Sequence, residues 1–211
     1  MKSATDNTYK KGQIRRDNIE QIIKAAANEF SNKGYDGTSM KSIAKSAGMT
    51  RPKVHYYFND KEEVYQSTLQ YISEKWADAT TVINFDADPF NTLQKYIHQQ
   101  VRLAFHCPEF SKIAVLDNIT NKSNAFFSHN KEAKEQIDSL VSAIEHWIEK
   151  GLIRDTNPIR LLFAIWSMTS WYSVNKEQAL YFENRTKFQE SDIELISMDI
   201  SNLILPSLVV T

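Results

Sequence analysis

The sequence predicts an all-α protein in which a small three-helix unit precedes a larger helical domain. Only 5 Gly and 5 Pro occur in 211 residues, so most of the chain lacks the turn residues that a many-stranded sheet needs. Apolar residues recur at intervals of three and four, which is the spacing of one helix face. We therefore predict a flexible basic arm at residues 1–14, a three-helix unit at 15–60 and a larger helical domain at 61–211.

The first predicted helix covers residues 15–33, and its apolar residues form one stripe. Lys33 lies in its last turn, and Gly34 is a suitable residue to end it. The stripe consists of Ile19, Ile22, Ile23, Ala26, Ala27 and Phe30.

The segment that follows this helix predicts two short helices around a tight turn. Thr38 or Ser39 can cap the first of them, and Gly48 suits a left-handed turn. Thr50 can cap the second, whose first turn tolerates Pro52 because no intrahelical N–H is lost there. Three helices in this order are typical of a DNA-reading helix-turn-helix. The alternative is an ordinary helical hairpin in a bundle, which needs similar caps and a similar turn.

The second short helix is predicted to have one cationic face and one apolar face. Arg51, Lys53 and His55 carry donors that suit phosphate oxygens and guanine edges. Val54 and Phe58 lie four residues apart and are expected to face inward. The residues predicted to contact DNA are Ser39, Lys41, Thr50, Arg51, Pro52, Lys53, His55, Tyr56, Tyr57 and Lys61.

Charge is distributed unevenly along the chain. Residues 1–60 carry 11 Lys and Arg against 6 Asp and Glu, a net +5, whereas the whole chain carries −1, so the remaining 151 residues carry −6. A cationic segment that coincides with the helix-turn-helix indicates phosphate binding. The arm either extends this positive surface along the DNA or is a solvated tail. The cationic residues in question are Lys2, Lys10, Lys11, Arg15 and Arg16.

Three motifs between about residues 15 and 65 are specific as a set. They are Phe30…Gly34-Tyr35…Gly37-Thr38-Ser39, Ile43-Ala44…Ala47-Gly48-Met49-Thr50 and Tyr56-Tyr57-Phe58-Asn59-Asp60-Lys61-Glu62. With these motifs the chain resembles the tetracycline-repressor (TetR) family of one-component transcriptional regulators. The resemblance implies a DNA-binding domain followed by a helical domain for ligand binding and dimerisation. The family usually has Tyr where this chain has His55, and that Tyr commonly touches a phosphate, so Tyr56 or Tyr57 is expected to take its role.

Six further helices are predicted, and two of them carry more apolar surface than one core contact requires. The helix at 158–180 has almost no polar face, and the helix at 191–205 carries a wide apolar stripe. We expect these two helices to pair with a second copy of the chain across a twofold axis, where TetR-family proteins dimerise. Burial within a monomer is the alternative. The six helices are predicted at 61–84, 89–106, 109–120, 125–150, 158–180 and 191–205.

The larger domain contains more aromatic residues than a small core requires, which is typical of a pocket for a small organic ligand. We expect a largely planar effector among the helices at 89–106, 125–150 and 158–180. The residues predicted to bind it are Trp76, Phe105, Asn118, Phe126, Trp147, Trp166, Thr169 and Ser170. Each of these aromatic residues can also be ordinary core.

Residues 62–171 resemble, more loosely, the pyrimidine-utilisation regulators within the TetR family. The matching positions are Glu62-x-x-Tyr65, Trp76, Lys95-Tyr96-Ile97, Pro108-Glu109-Phe110 and Leu162-Phe163-Ala164-Ile165-Trp166-Ser167-x-Thr169. Those relatives respond to uracil-like ligands, but several have Gln-His where this chain has Ser170-Trp171. Two polar ligand contacts are therefore missing, and the ligand is not inherited with the resemblance.

No pattern in the sequence predicts catalysis, a metal site or a cofactor. His98, His106 and His129 lack the helical spacing that metal ligands favour, and Cys107 follows His106 directly, so the two do not share a helix face. The motifs HExxH, GxSxG, GxGxxG and the Walker loop do not occur. With one Cys, no apolar run of 18 residues and no cleavable signal, the chain is expected to be cytoplasmic and to have no membrane partner.

Together these features predict a ligand-responsive transcriptional regulator that binds a palindromic operator as a homodimer. We expect a repressor that a small effector releases from double-stranded DNA. The alternative is a helical interaction module that does not bind DNA, and a salt-sensitive gel shift would separate the two.

Overall fold

The computed structural model describes the backbone of residues 4–80, 88–120 and 131–210, and their side chains except at 4–11, 77–80, 118 and 131–133. The described residues contain helices and no strand, which confirms the all-α prediction. The helices are α1 (Ala4–Gly37), α2 (Met40–Ser46), α3 (Arg51–Tyr57), α4 (Lys61–Thr80), α5 (Pro89–His106), α6 (Pro108–Thr120), α7 (Lys131–Glu149), α8 (Pro158–Val174), α9 (Lys176–Phe182), α10 (Ser191–Ile204) and a 3-10 helix (Leu205–Leu208).

The chain divides into two compact units, Met1–Ile72 and Ser73–Thr211, and the division falls within α4. The boundary predicted at residue 60 is therefore too early. The physical reason lies in the first turns of α4, where Val64 and Leu69 are buried and Tyr65 packs edge-on against Phe30 at 4.9 Å between ring centroids. These contacts make the start of α4 part of the first unit.

The first unit is built around the apolar stripe of α1. α1 packs on α2 and α2 packs on α3, so one face of each helix is buried. The stripe that the sequence predicts on α1 is covered at its centre, where Ile22, Ala26 and Phe30 are almost fully buried. Ile43 and Ala44 on α2 and Val54 and Phe58 at α3 are buried in the same unit.

The structure extends α1 beyond its predicted start and breaks it at its predicted end. Residues 4–14, expected to be a flexible arm, are helical, and Gln13 Nε2 donates to Asp17 Oδ1 at 2.8 Å one turn further on. At the other end Gly34 adopts φ 68° and ψ 177°, which no helical residue does. Thr38 Oγ1 then donates to the Gly34 carbonyl at 2.8 Å, so Thr38 closes this break and does not cap α2.

The turn between α2 and α3 depends on Gly48. Its φ is 63°, and its N–H donates to the Lys45 carbonyl at 3.1 Å. Ser39 caps α2 by accepting the Ser42 N–H at 3.1 Å, and Thr50 caps α3 by accepting the Lys53 N–H at 3.3 Å. The predicted glycine turn and the predicted Thr50 cap are thus present.

The second unit has α5 at its centre. α5 packs against α8 and α10, α6 packs on α5 and α8, and α7 packs on α8. Tyr96 on α5 and Trp147 on α7 are completely buried in this core. The Arg154 N–H donates to the Leu208 carbonyl at 2.8 Å, which ties the segment after α7 to the 3-10 helix.

The helix predicted at 158–180 is two helices, α8 and α9, divided at Asn175. Asn175 has φ −112° and ψ 31°, its N–H closes α8 on the Trp171 carbonyl at 2.8 Å, and its own carbonyl begins α9 by accepting the Ala179 N–H at 2.9 Å. Asn favours such end positions because its side chain competes with helical bonds. The predicted extensions at 81–84 and 125–130 lie outside the described residues.

Replacing Gly48 by Ala is expected to lower the free energy of unfolding of the first unit by about 1 kcal/mol. Nothing lies within 4 Å of the added methyl group, so the cost comes from the left-handed backbone alone. Gly48→Asn is the matched control, because Asn tolerates this backbone better than Ala. Urea unfolding followed by circular dichroism measures both variants, and an equal loss in the two would contradict this account of the turn.

Candidate DNA-binding interface and ligand cavity

The outer face of α3 is polar, cationic and exposed. Val54 and Phe58 are buried beneath it, as predicted, while Arg51, Lys53 and Tyr56 are exposed to solvent, Tyr56 at 77% of its full surface. Because the apolar residues hold the helix from one side, the cationic residues project from the other. The exposed predicted contacts are Ser39, Lys41, Thr50, Arg51, Pro52, Lys53, His55 and Tyr56.

Side chains of α3 form hydrogen bonds with each other and with a side chain of α1. Lys53 Nζ donates to Asn18 Oδ1 at 2.9 Å, and Asn18 Nδ2 donates to the Tyr57 hydroxyl at 3.0 Å. Arg51 Nε donates to His55 Nε2 at 3.3 Å, which requires that nitrogen of His55 to be unprotonated. Asn18 thus orients two predicted DNA contacts. Sequence reasoning missed Asn18, because its partners lie 35 and 39 residues away and no local spacing marks it.

Lys61 lies in a different environment from the other predicted contacts. Its ammonium donates to the carbonyls of Tyr35 at 2.8 Å and Thr38 at 3.1 Å, and it lies 4.1 Å from the centroid of the Tyr35 ring. These bonds use two of the three N–H donors of an ammonium that is predicted to contact DNA phosphates. Lys61 therefore fastens α4 to the segment before α2.

The same corner contains a second long-range bond. The Tyr35 hydroxyl donates to Glu62 Oε2 at 2.7 Å. Burial and this bond to Glu62 raise the pKa of Tyr35 to about 12, still further above neutral pH than that of a free tyrosine. Asn59, which lies just before α4, bonds to the residue after Glu62, namely Glu63, whose Oε2 accepts the Asn59 N–H at 2.7 Å.

The second unit contains a cavity of about 350 Å³ among α4, α5, α6 and α8. Its size falls at the lower end of the range for small-molecule sites. Of the predicted ligand residues, Trp76, Trp166, Thr169 and Ser170 line it. The other lining residues are not among the predicted ligand contacts, and they are Gln100, Leu103, Ala104, Phe110, Ser111, Ala114, Val115, Phe163 and Ser167.

Two predicted ligand residues with described side chains, Phe105 and Trp147, do not line this cavity. Trp147 is completely buried in the core, so the predicted helix at 125–150 contributes core there instead of wall. Phe105 points to a smaller cavity of about 210 Å³, where its ring lies 5.3 Å from that of Phe188. Asn118 belongs to α6, but its side chain lies outside the described residues, as does Phe126 entirely.

The aromatic wall of the cavity is held by a buried hydrogen bond. Trp166 Nε1 donates to the Tyr96 hydroxyl at 2.7 Å. Burial raises the pKa of Tyr96 well above its usual range, so this hydroxyl stays neutral. The ring of Trp166 in turn packs edge-on against Trp76, with centroids 6.0 Å apart. The indole ring therefore has a set orientation in the absence of any ligand.

The described residues offer neither a metal cluster nor a membrane helix. They contain no group of three or more His, Cys, Asp or Glu placed to hold a metal ion. Within the same residues, no helix has both the length and the apolar character needed to cross a bilayer. His98 pairs instead with Glu194 of α10 at 2.8 Å, and His106 pairs with Glu190, the residue just before α10, at 3.2 Å.

Known protein families match both parts of the chain. A family described as "Bacterial regulatory proteins, tetR family" matches residues 22–68, and one described as "YcdC-like protein, C-terminal region" matches residues 69–211. The transcriptional regulator RutR of Escherichia coli (strain K12) is 25% identical over 170 residues, covering 81% of this chain and 80% of RutR. That similarity loosely supports the resemblance to pyrimidine-utilisation regulators.

Two further proteins are similar over shorter or more diverged alignments. The transcriptional repressor NicS of Pseudomonas putida (strain KT2440) is 30% identical over 139 residues, covering 64% of this chain and 66% of NicS. The structure of AibR in complex with isovaleryl coenzyme A and operator DNA has a TM-score of 0.68 at 20% identity, covering 90% of this chain and 98% of AibR. At this identity AibR shows a shared fold. With family matches across residues 22–211 and the helix-turn-helix of α2 and α3 in place, the chain belongs to the TetR family of bacterial transcriptional regulators.

Proposed function

We propose that the chain is an effector-responsive repressor that binds a palindromic operator as a homodimer. The observation that carries the proposal is the exposed cationic face of α3, held over the buried Val54 and Phe58. A helix of this kind fits the major groove of B-DNA. The relatives support repression, since NicS is named a repressor.

The polar groups of α2 and α3 divide into two roles in this proposal. Arg51, Lys53 and Lys41 reach base edges, where Arg and Lys recognise guanine. Thr50, Tyr56 and Tyr57 hold phosphates, which set the register of the protein on the duplex. The Tyr57 hydroxyl accepts from Asn18, so its own proton remains available for a phosphate oxygen. Lys61 is left out of this set, because its ammonium is bonded to two carbonyls.

The homodimer is proposed to form through α8 and α10. These helices pack against each other, and both expose large apolar side chains on the faces turned away from the core. Met168 and Trp171 on α8 and Leu195, Met198 and Leu203 on α10 are at least one-third exposed. A group of this kind on neighbouring helices marks a contact surface. A second copy would cover it and form a four-helix interface.

The effector is proposed to bind in the cavity of about 350 Å³. Its wall includes Trp76 on α4, the helix whose first turns belong to the DNA-binding unit. A ligand that binds one position of α4 better than another shifts the population between DNA-binding and released forms. Regulation then needs no catalytic chemistry, and the protein acts in the cytoplasm, where bacterial operator DNA is found.

Selection of bound sites from a random DNA pool tests the function directly. A near-palindromic site with half-sites about 34–36 Å apart, or a multiple of that distance, is the expected result. Recovery of no sequence above background would contradict a role in DNA recognition.

Arg51→Ala and Lys53→Ala are each expected to weaken binding to the selected operator by about 1–3 kcal/mol. Removing a phosphate contact also lowers the slope of log affinity against log salt by about 0.9, whereas removing a base contact relaxes the preference at one position. Lys134→Ala is the matched control, because it removes the same charge from an exposed helix of the second unit. Gel shifts over a salt series measure all three, and wild-type affinity in both α3 variants would disprove the proposed reading face.

Met198→Asp is expected to convert the dimer into a monomer at micromolar concentration, because a carboxylate would be buried without a partner at the proposed interface. Met198 is 52% exposed in the single chain, so the change does not disturb the core. Tyr181→Asp provides the control, since Tyr181 is also an exposed large side chain, at 78%, but lies on α9. Sedimentation velocity distinguishes the outcomes, and a persistent Met198→Asp dimer would place the interface elsewhere.

A further inference from the structure

We propose that the cavity of the second unit selects an uncharged, mainly apolar ring compound that carries a hydrogen-bond acceptor, and that Gln100 recognises this acceptor. The inference rests on the proposed effector site and adds the chemical class that the site takes. Gln100 is thereby a specificity-determining residue that sequence reasoning did not single out.

Among the residues that the structure describes, no ionisable side chain lines the cavity. All thirteen lining residues are apolar, aromatic, hydroxyl-bearing or, in one case, an amide. A carboxylate or a phosphate that entered would lose its hydration without gaining a cation, and this loss is expensive in a low-dielectric site. The cavity therefore discriminates against anions of otherwise suitable shape.

Gln100 is the unusual group in this wall. It is only 6% exposed, and its Nε2 has no hydrogen-bond partner among the described residues. A buried amide N–H group without a partner destabilises the protein, so nearly all buried polar atoms in folded proteins are hydrogen-bonded. A ligand with a carbonyl or a ring nitrogen would supply the missing partner inside the cavity.

The other polar groups of the cavity wall already donate a hydrogen bond within the protein or are less deeply buried than Gln100. Thr169 donates its hydroxyl proton to the Ile165 carbonyl at 2.9 Å, so it offers a ligand only lone pairs. Trp166 Nε1 is bonded to Tyr96, so the Trp166 ring offers a ligand only its π surface and edge. Among these groups Gln100 supplies the fully buried donor. One acceptor on an otherwise apolar ring matches this arrangement better than a ligand with several donors.

The direct test uses matched trios of compounds with benzene, naphthalene and indole rings. Each trio contains a methyl ketone, the corresponding carboxylate and the corresponding ethyl compound, so shape is kept while charge and the acceptor vary. Titration calorimetry with the full chain is expected to show that ketones bind at least tenfold more tightly than their carboxylates. A carboxylate or uracil that binds more tightly than every ketone would overturn the proposal, as would the absence of binding in all three trios.

Gln100→Leu tests the role of the residue itself. It is expected to weaken binding of the ketone about 3- to 10-fold, as loss of one neutral hydrogen bond does, and to leave binding of the ethyl compound unchanged. Gln99→Leu is the matched control, because it makes the same change on α5 at a residue that does not line the cavity. Equal weakening of ketone and ethyl compound in Gln100→Leu would show a merely structural role and disprove the assignment.

Operator binding separates this inference from the proposed function. Without ligand, Gln100→Leu is expected to bind the selected operator as the wild type does. If the wild type binds no DNA while the ketone preference holds, the proposed function fails and the cavity assignment stands. If DNA binding is normal while ketones show no preference, the assignment fails alone.

Discussion

Burial of Val54 and Phe58 is the constraint on which the DNA-binding surface depends. α3 has only seven residues and would not persist as an isolated helix in water. It is stable only where α1 and α2 cover its apolar face. The same covering determines which side chains remain outside, so the cationic face of α3 is a direct consequence of how its inner face packs. Asn18 then limits the freedom of Lys53 and Tyr57.

The second unit combines a closely packed core with an open cavity. Most of its interior is closely filled, with Tyr96 and Trp147 completely buried. Beside this core lies a cavity, and in its wall Gln100 Nε2 has no hydrogen-bond partner among the described residues. Both features reduce stability, since cavities and unsatisfied polar groups are unfavourable. Departures of this kind from close packing are typical of binding sites, which trade stability for recognition.

Two hydrogen bonds between residues distant in sequence, Tyr35 to Glu62 and Trp166 to Tyr96, have comparable physical roles. Burial is the largest cause that raises the pKa values of Tyr35 and Tyr96 above that of a free tyrosine, which is itself protonated at neutral pH. Each therefore remains available for hydrogen bonding at neutral pH, Tyr35 as a donor to Glu62 and Tyr96 as an acceptor from Trp166. One bond stabilises the start of α4 in the first unit, and the other sets the aromatic wall of the cavity in the second.

The sequence by itself determined the helical class, the turn at Gly48, the cap at Thr50 and the orientation of α3. These features depend on residues three or four positions apart, and on the backbone freedom of one glycine, all of which a linear pattern records. The break of α1 at Gly34 was predictable for the same reason. Its early start was not, because the polar residues before Arg15 have no apolar stripe that predicts a helix.

Only the tertiary structure decided which polar and aromatic side chains meet. Lys61 was predicted to face DNA, but it finds carbonyls 23 and 26 residues away. Trp147 and Trp166 look alike in sequence, yet one fills the core and the other lines the cavity. Gln100 carries no local signal at all. These outcomes depend on how helices distant in sequence pack together, because a side chain's partners and burial are set by the neighbouring helices and not by its own periodicity.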